Sequence, residues 1–219
     1  PVSSISASEI DPTTLNGACV GHPLPGMVVK IISLTAEHAT IREVPRGEIG
    51  EIIVHGPVVT KTYDALPQNT AAAKITDGNI TWHRMGDSGY LDNENRLWFT
   101  GRIIERVQTT TGTLFTEPCE QVFRAHPRVT RCALIGLGPP GRQIPALVVE
   151  ADLENSGIAR TFAQELRQLA RSHLHTSAIN TYYFRRELPV DVRHNAKIHR
   201  LVLTKWAPTA KGYEGDLQR

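Results

Sequence analysis

The run His83-Arg84-Met85-Gly86-Asp87-Ser88-Gly89-Tyr90-Leu91-Asp92, continuing as Asn93-Glu94-Asn95-Arg96-Leu97-Trp98-Phe99-Thr100-Gly101-Arg102, decides how this chain is read. Asp92-Asn93-Glu94-Asn95 is turn chemistry, because Asp and Asn side chains bond to nearby backbone and tolerate tight dihedrals. Tyr90-Leu91 precedes it and Leu97-Trp98-Phe99 follows, so the spacing predicts a β-hairpin. With Leu91 opposite Leu97, partner numbers sum to about 188, and Asp87 falls near Gly101 with Arg102 next along. One carboxylate and one guanidinium then share one end of a hairpin. An ionised carboxylate accepts from two neighbouring hydroxyls and arginine donates in a fixed fork, so the pair suits a vicinal diol such as that of a ribose. Spacing alone also describes an ordinary cross-strand ion pair, and on spacing alone that plainer alternative is the favoured one.

Met85-Gly86-Asp87-Ser88-Gly89-Tyr90-Leu91-Asp92 with Phe99-Thr100-Gly101-Arg102 resembles the ribose-binding aspartate and interdomain arginine motifs of the adenylate-forming superfamily. That superfamily holds acyl-CoA synthetases, luciferases and peptide-synthetase adenylation domains. Arg46 to Gly56, with Thr62-Tyr63 after it, resembles the strand-turn-strand that precedes this hairpin in relatives. Arg193-His194-Asn195-Ala196-Lys197-Ile198 sits where the family carries its late catalytic lysine. The resemblance implies an α+β fold: a small antiparallel, β-barrel-like subdomain, then a compact mobile α+β C-terminal domain. Residues 1–102 would be the C-terminal part of the large adenylating domain, and 103–219 the small domain with the lysine loop. It implies ATP and Mg²⁺ as cofactors, with Asp87 and Arg102 on the ribose. Lys197 would be catalytic, bridging the substrate carboxylate and the α-phosphate. The family's phosphate loop and aromatic adenine segment have no counterpart here. The expectation is thus of the C-terminal portion of a longer enzyme, inactive alone and partnered by its missing N-terminal portion.

Hydrophobic content of 40% and charged content of 21% over 219 residues are ordinary for a globular protein with a sizeable core. A net charge of +2 points to no nucleic-acid partner. Cys19, Cys119 and Cys132 form no metal spacing and no even framework, which suggests reduced thiols and a cytoplasmic protein. No signal peptide, lipidation motif or membrane-spanning apolar run is present. The histidines do not cluster, so no protein metal site is assigned, and magnesium would be held mostly by phosphates and water.

Residues 1–25, rich in Ser, Thr and Pro, read as loop. Short strands are expected over 28–32, 49–54 and 58–63, a loop into a short helix over 64–75, and a tight turn at Asp77-Gly78. Ile103 to Gln108 is strand-like, and Thr109-Thr110-Thr111-Gly112 makes a turn. Helices are expected over 117–126, with Thr116 as N-cap and Pro127 as stop, over 161–175, and over 198–206. Runs 131–135, 146–151 and one from Tyr182 are strands around a small sheet. Gly136-Leu137-Gly138-Pro139-Pro140-Gly141 matches a dinucleotide fingerprint, but two prolines and a following strand make it a turn between strands.

Lys197 stands among Arg193, His194, His199 and Arg200, in a segment that Leu188-Pro189 opens as a loop. A lysine in such a basic cluster is ordinarily a solvated surface group; the family match gives it a function. His83 divides evenly between facing the site and being a satisfied strand histidine. Cys119 and Cys132 read as packed thiols. Three departures from the family pattern stand out. Ile104 occupies the hinge position, where relatives carry a charge. The Thr109–Thr113 loop lacks a usual lysine and is about one residue short, at a place where relatives build a pantetheine tunnel. Asn195-Ala196 replaces a Ser-Gly. Thr116 to Phe123 and Asp191 to Ile198 look most like the olefin β-lactone synthetases of hydrocarbon biosynthesis. The resemblance therefore implies ATP-dependent activation of a 2-alkyl-3-hydroxy fatty acid. Closure to a β-lactone would release AMP, with other hydrocarbon-biosynthesis enzymes as partners. The alternatives are a long-chain acyl-CoA ligase and a non-catalytic module derived from one.

Overall fold

The computed structural model describes residues 1–11, 13–34, 41–57, 73–191 and 197–216. The chain forms two compact units, Pro1–Ile104 and Glu105–Arg219.

The first unit is one antiparallel sheet of β1 (Ser3–Ser4), β2 (Ala18–Pro23), β3 (Val28–Ile32), β4 (Gly50–His55), β5 (Lys74–Asp77), β6 (Ile80–Leu91) and β7 (Leu97–Arg102). The order is β1-β2-β7-β6-β4-β3, with β5 also on β6. Side chains alternate between faces along a strand, so a continuous apolar run buries both faces. β4 shows this directly. Ile52 and Val54 pack with Val29, Ile31, Leu91 and Leu97, while Ile53 joins Ile32, Ile75 and Trp82. Each fully buried isoleucine contributes about 1.5–3 kcal/mol, against about 0–1 for an exposed ion pair, so these clusters hold the sheet together. Among the described residues no pairing joins β1 to β3, so the sheet is a curled half-barrel rather than a closed barrel.

One expectation is corrected here. Residues 1–25 supply β1 and β2 because the backbone of β7 offers an edge for them, a partner that local composition does not reveal. Trp82 and Tyr90 lie on one 12-residue strand, β6, because β5, β4 and β7 each pair with part of it. The Asp77-Gly78 turn joins β5 to β6 with Asp77 opposite Ile80. The expected strand over 58–63, and the loop and helix over 64–72, lie outside the described residues.

A short 3-10 turn, Ile103–Glu105, runs across the boundary along the chain, and the second unit continues with a ribbon of β8 (Val107–Gln108) and β9 (Thr113–Leu114). Ile103 to Gln108 is therefore not one strand: only Val107 and Gln108 find partners. The Thr109 amide and hydroxyl both donate to the Gly112 carbonyl at 2.9 Å, closing the expected turn. A four-stranded sheet follows, ordered β10 (Cys132–Leu137), β11 (Ile144–Glu150), β12 (Thr181–Arg185) and β15 (Tyr213–Glu214). β10 and β11 are an antiparallel hairpin, so the glycine-rich run between them is a turn. β11 and β12 are parallel, which requires a crossover, and α2 (Ser156–Arg171) supplies it.

α1 (Thr116–Arg124) and α2 cover one face over Cys132, Leu134, Leu147, Val149 and Tyr182. α3 (Arg200–Trp206) covers the other over Ala133, Ile135, Ala146, Val148 and Tyr183. The helix limits differ from expectation for physical reasons. Thr116 is buried inside α1, and the N-cap is Phe115, without a side-chain cap. α2 starts earlier because Asn155 Oδ1 accepts from Gly157 N and Ile158 N, both at 3.0 Å. A last ribbon pairs β13 (Val190–Asp191) with β14 (Lys197–Ile198). No described helix is long and apolar enough to cross a membrane.

Candidate active site

From the hairpin turn to Gly89, partners run Leu91–Leu97, Tyr90–Trp98, Gly89–Phe99; past a bulge they run Ser88–Gly101 and Asp87–Arg102. Thr100 is the extra residue. The register therefore corrects the sequence expectation, because Asp87 lies opposite Arg102 itself rather than Gly101. Buried hydroxyls support the bulge: Thr100 Oγ1 donates to Ser88 Oγ at 2.9 Å, and Ser88 Oγ donates to the Gly101 carbonyl at 3.0 Å. The glycines of the motif have separate reasons. A Cβ on Gly89 would stand 2.2 Å from the Trp98 carbonyl oxygen, and Gly86 has φ 69°.

Arg102 Nη1 lies 2.9 Å from Asp87 Oδ1 and donates to the Met85 carbonyl at 3.2 Å. The Asp87 side chain is 14% exposed and that of Arg102 43%. The pair is thus a carboxylate sunk at a sheet end beneath a guanidinium that reaches solvent, an arrangement able to grip a diol. Behind it, Arg84 donates to both Glu51 oxygens, at 2.9 and 2.6 Å, and this raises the Arg84 pKa. His83 Nδ1 lies 3.1 Å from the Ala73 carbonyl, and burial, then the charge of Lys74, lowers its pKa, as expected of a satisfied strand histidine.

In the second unit Lys197 begins β14, opposite Asp191, with an exposed side chain. It stands in a ribbon rather than in open loop, because its backbone pairs with Asp191 and that of the next residue, Ile198, pairs with Val190. The neighbouring Arg193, His194 and Asn195-Ala196 lie outside the described residues. Ile104 is 73% exposed, the second residue of its 3-10 turn. Cys119 is buried, which pushes its thiol up to about 12, and Cys132 is raised by the same cause; both are packed thiols.

Arg200 is not part of a solvated basic surface. It inserts into the unit against Glu120 and Glu105. Burial pushes the Glu120 carboxyl up, against the pull of Arg200. The available signal was Glu120 itself, an acid between Cys119 and Val122 on the apolar side of α1.

No protein-family model matches the chain. An olefin β-lactone synthetase of Xanthomonas campestris is 42% identical over 94% of this chain and 40% of that protein. One of Stenotrophomonas maltophilia is 39% identical over the same shares. The chain thus spans about 40% of the length of these curated relatives. The amide bond synthetase McbA of Marinactinospora thermotolerans superimposes with TM-score 0.67, at 26% identity, over 86% of this chain and 36% of that one. ATP-bound MatB of Rhodopseudomonas palustris shares the fold, with TM-score 0.71 at 23% identity over 88% and 36%.

Proposed function

This chain belongs to the adenylate-forming superfamily, and we propose that it is the ribose-gripping and lysine-bearing part of an olefin β-lactone synthetase. In this reading residues 1–102 complete a large adenylating domain, and 103–219 form a small domain that moves about Ile104. The observation that carries the reading is the likeness to two olefin β-lactone synthetases over 94% of the chain, wide enough to take in Asp87, Arg102 and Lys197.

Asp87 accepts hydrogen bonds from the ribose hydroxyls of ATP, and Arg102 orients that carboxylate while donating from its exposed edge. The carboxylate of a 2-alkyl-3-hydroxy fatty acid attacks the α-phosphorus, and pyrophosphate leaves. Lys197 donates to the carboxylate and the α-phosphate, holding the two together and countering the charge on the phosphoryl oxygens as the bond forms, which is electrostatic stabilisation of the transition state. The substrate's own β-hydroxyl then attacks the acyl carbon and gives up its proton to solvent, and AMP departs with the bonding pair. A tethered nucleophile has a high effective concentration, so a thiol tunnel and a charged hinge are unnecessary. Exposed, uncharged Ile104 and the short Thr109–Thr113 turn suit that route. Among the described residues no three His, Cys, Asp or Glu side chains are placed to hold a metal. Magnesium would come with the triphosphate, held mostly by phosphate and water.

The complete enzyme, given ATP, magnesium and the hydroxy acid without CoA, should release AMP and a β-lactone. A matched acid lacking the 3-hydroxyl should stall as bound adenylate. Mass spectrometry of both reactions decides it. An acyl-CoA from both acids on adding CoA, with no lactone from the first, would show an ordinary CoA ligase.

A further inference from the structure

α3 opens on Arg200, three positions after Lys197, and every nitrogen of its guanidinium is engaged. Nε donates to Glu120 Oε1 at 3.0 Å, Nη2 to Glu120 Oε1 and Oε2 at 2.9 and 2.8 Å, and Nη1 to Glu105 Oε2 at 3.0 Å. Glu120 Oε1 also accepts from Leu134 N at 2.9 Å, which ties the carboxylate to β10. The side chains are closed from water: Arg200 is 14% exposed, Glu105 10% and Glu120 2%. Arg124 adds a second cation, 3.6 Å from Glu120 Oε2.

Stability is a poor reason for such a cluster. Burying charges costs several kcal/mol per ion, and an apolar trio of the same volume often packs as well or better. A planar guanidinium locked between two carboxylates gives direction instead, because its fork admits few orientations. What it directs is short and close by. Between Arg200 and Lys197 stand only His199, whose amide donates to the Pro189 carbonyl at 2.8 Å, and Ile198, packed against the α3-side core. The same guanidinium holds Glu105, the residue after Ile104 and the first of this unit.

We propose that Arg200, clamped by Glu120 and Glu105, is a positioning residue that sets where Lys197 stands during adenylate formation. The inference rests on the role given to Lys197 above. Residues that act through one another give non-additive effects, and that is what a structural role alone would not produce.

The test is single-turnover adenylate formation by the complete enzyme, at saturating ATP and acid. Arg200→Lys and Glu105→Gln are each made alone and in a Lys197→Ala background, with folded fraction followed by thermal unfolding. Each alone should slow the step about tenfold or more with the KM for ATP shifted less than about threefold, and each should add less than about twofold once Lys197 is alanine. Should Arg200→Lys fail to fold, Glu105→Gln decides alone, since it leaves the Arg200–Glu120 pair in place. Equal slowing in both backgrounds, or wild-type rates for the single variants, overturns the inference and leaves the function standing. A wild-type rate for Lys197→Ala overturns the lysine assignment, and the inference with it.

Discussion

Asp87 and Arg102 meet because one strand carries a residue more than the other. Thr100 takes up the bulge, and the carboxylate comes opposite the guanidinium instead of one position short of it. The proposed division of labour makes separable demands on the two units. Asp87→Ala should raise the KM for ATP about tenfold to a hundredfold, the worth of a charge-assisted hydrogen bond of about 1.5–3 kcal/mol. Lys197→Ala should slow the adenylation step with a much smaller effect on ATP binding, and steady-state kinetics with pyrophosphate exchange separate the two. The same pure binding defect in both variants would contradict these roles. Gly89 answers to geometry instead. Its Cβ would overlap the Trp98 carbonyl and stand 2.8 Å from Ile52 Cδ1. Gly89→Ala should lower stability by about 1–3 kcal/mol in urea unfolding, as overpacking does.

At the far end of the hairpin the Asp92 side chain gathers four donors. Asp92 Oδ1 accepts from Glu94 N and Arg96 N, at 3.0 and 2.8 Å, and Oδ2 from Arg96 Nε and Trp98 Nε1, at 2.7 and 2.9 Å. Burial would raise this carboxyl, but those donors outweigh it and bring the pKa from 3.8 to about 2. A carboxylate depressed in the folded state stabilises fully above its unfolded pKa, and the gain is lost as pH falls through the folded one. The Asp92 contribution should therefore disappear between about pH 4 and 2. Comparing acid unfolding of wild type and Asp92→Asn isolates it from other carboxylates. Curves that differ by a constant offset across that window would show that Asp92 is not the titrating group. The β13–β14 ribbon is a weaker element, two residues on each strand.

At the scale of the molecule, each unit carries its own cores: among the described residues, two clusters have their buried members within 27–97 and two have theirs within 107–207. A unit with its own hydrophobic core can in principle fold alone. The segment Glu105–Arg219, expressed by itself, should unfold in one cooperative transition under urea, and a broad non-cooperative loss of signal would refute that. The 219 residues contain no phosphate loop. By themselves they should show no ATP–pyrophosphate exchange, and robust exchange by the purified chain would contradict the proposed assignment to the later part of an adenylating enzyme.

Sequence determined what depends on neighbours along the chain. Turn residues at 92–95 between apolar strands dictated the β6–β7 hairpin, and Pro139-Pro140 before Ile144 excluded a nucleotide-binding helix. The spacing of Phe162, Leu166 and Ala170 marked the buried face of α2. It placed Asp87 and Arg102 at one end of a hairpin, yet spacing could not count the bulge, since any residue from 98 to 101 might have been the extra one. Only the fold chose Thr100, because its hydroxyl has Ser88 to bond to in the interior. Residues 18–23 became a strand because β7, paired with β6 on one edge, pairs with them on the other. Arg200 shows the limit most plainly. In sequence it is one base among several; in the structure its acids come from 80 and 95 residues away. Whether a charge is solvated or buried depends on which distant groups close around it, and that is settled by packing rather than by pattern.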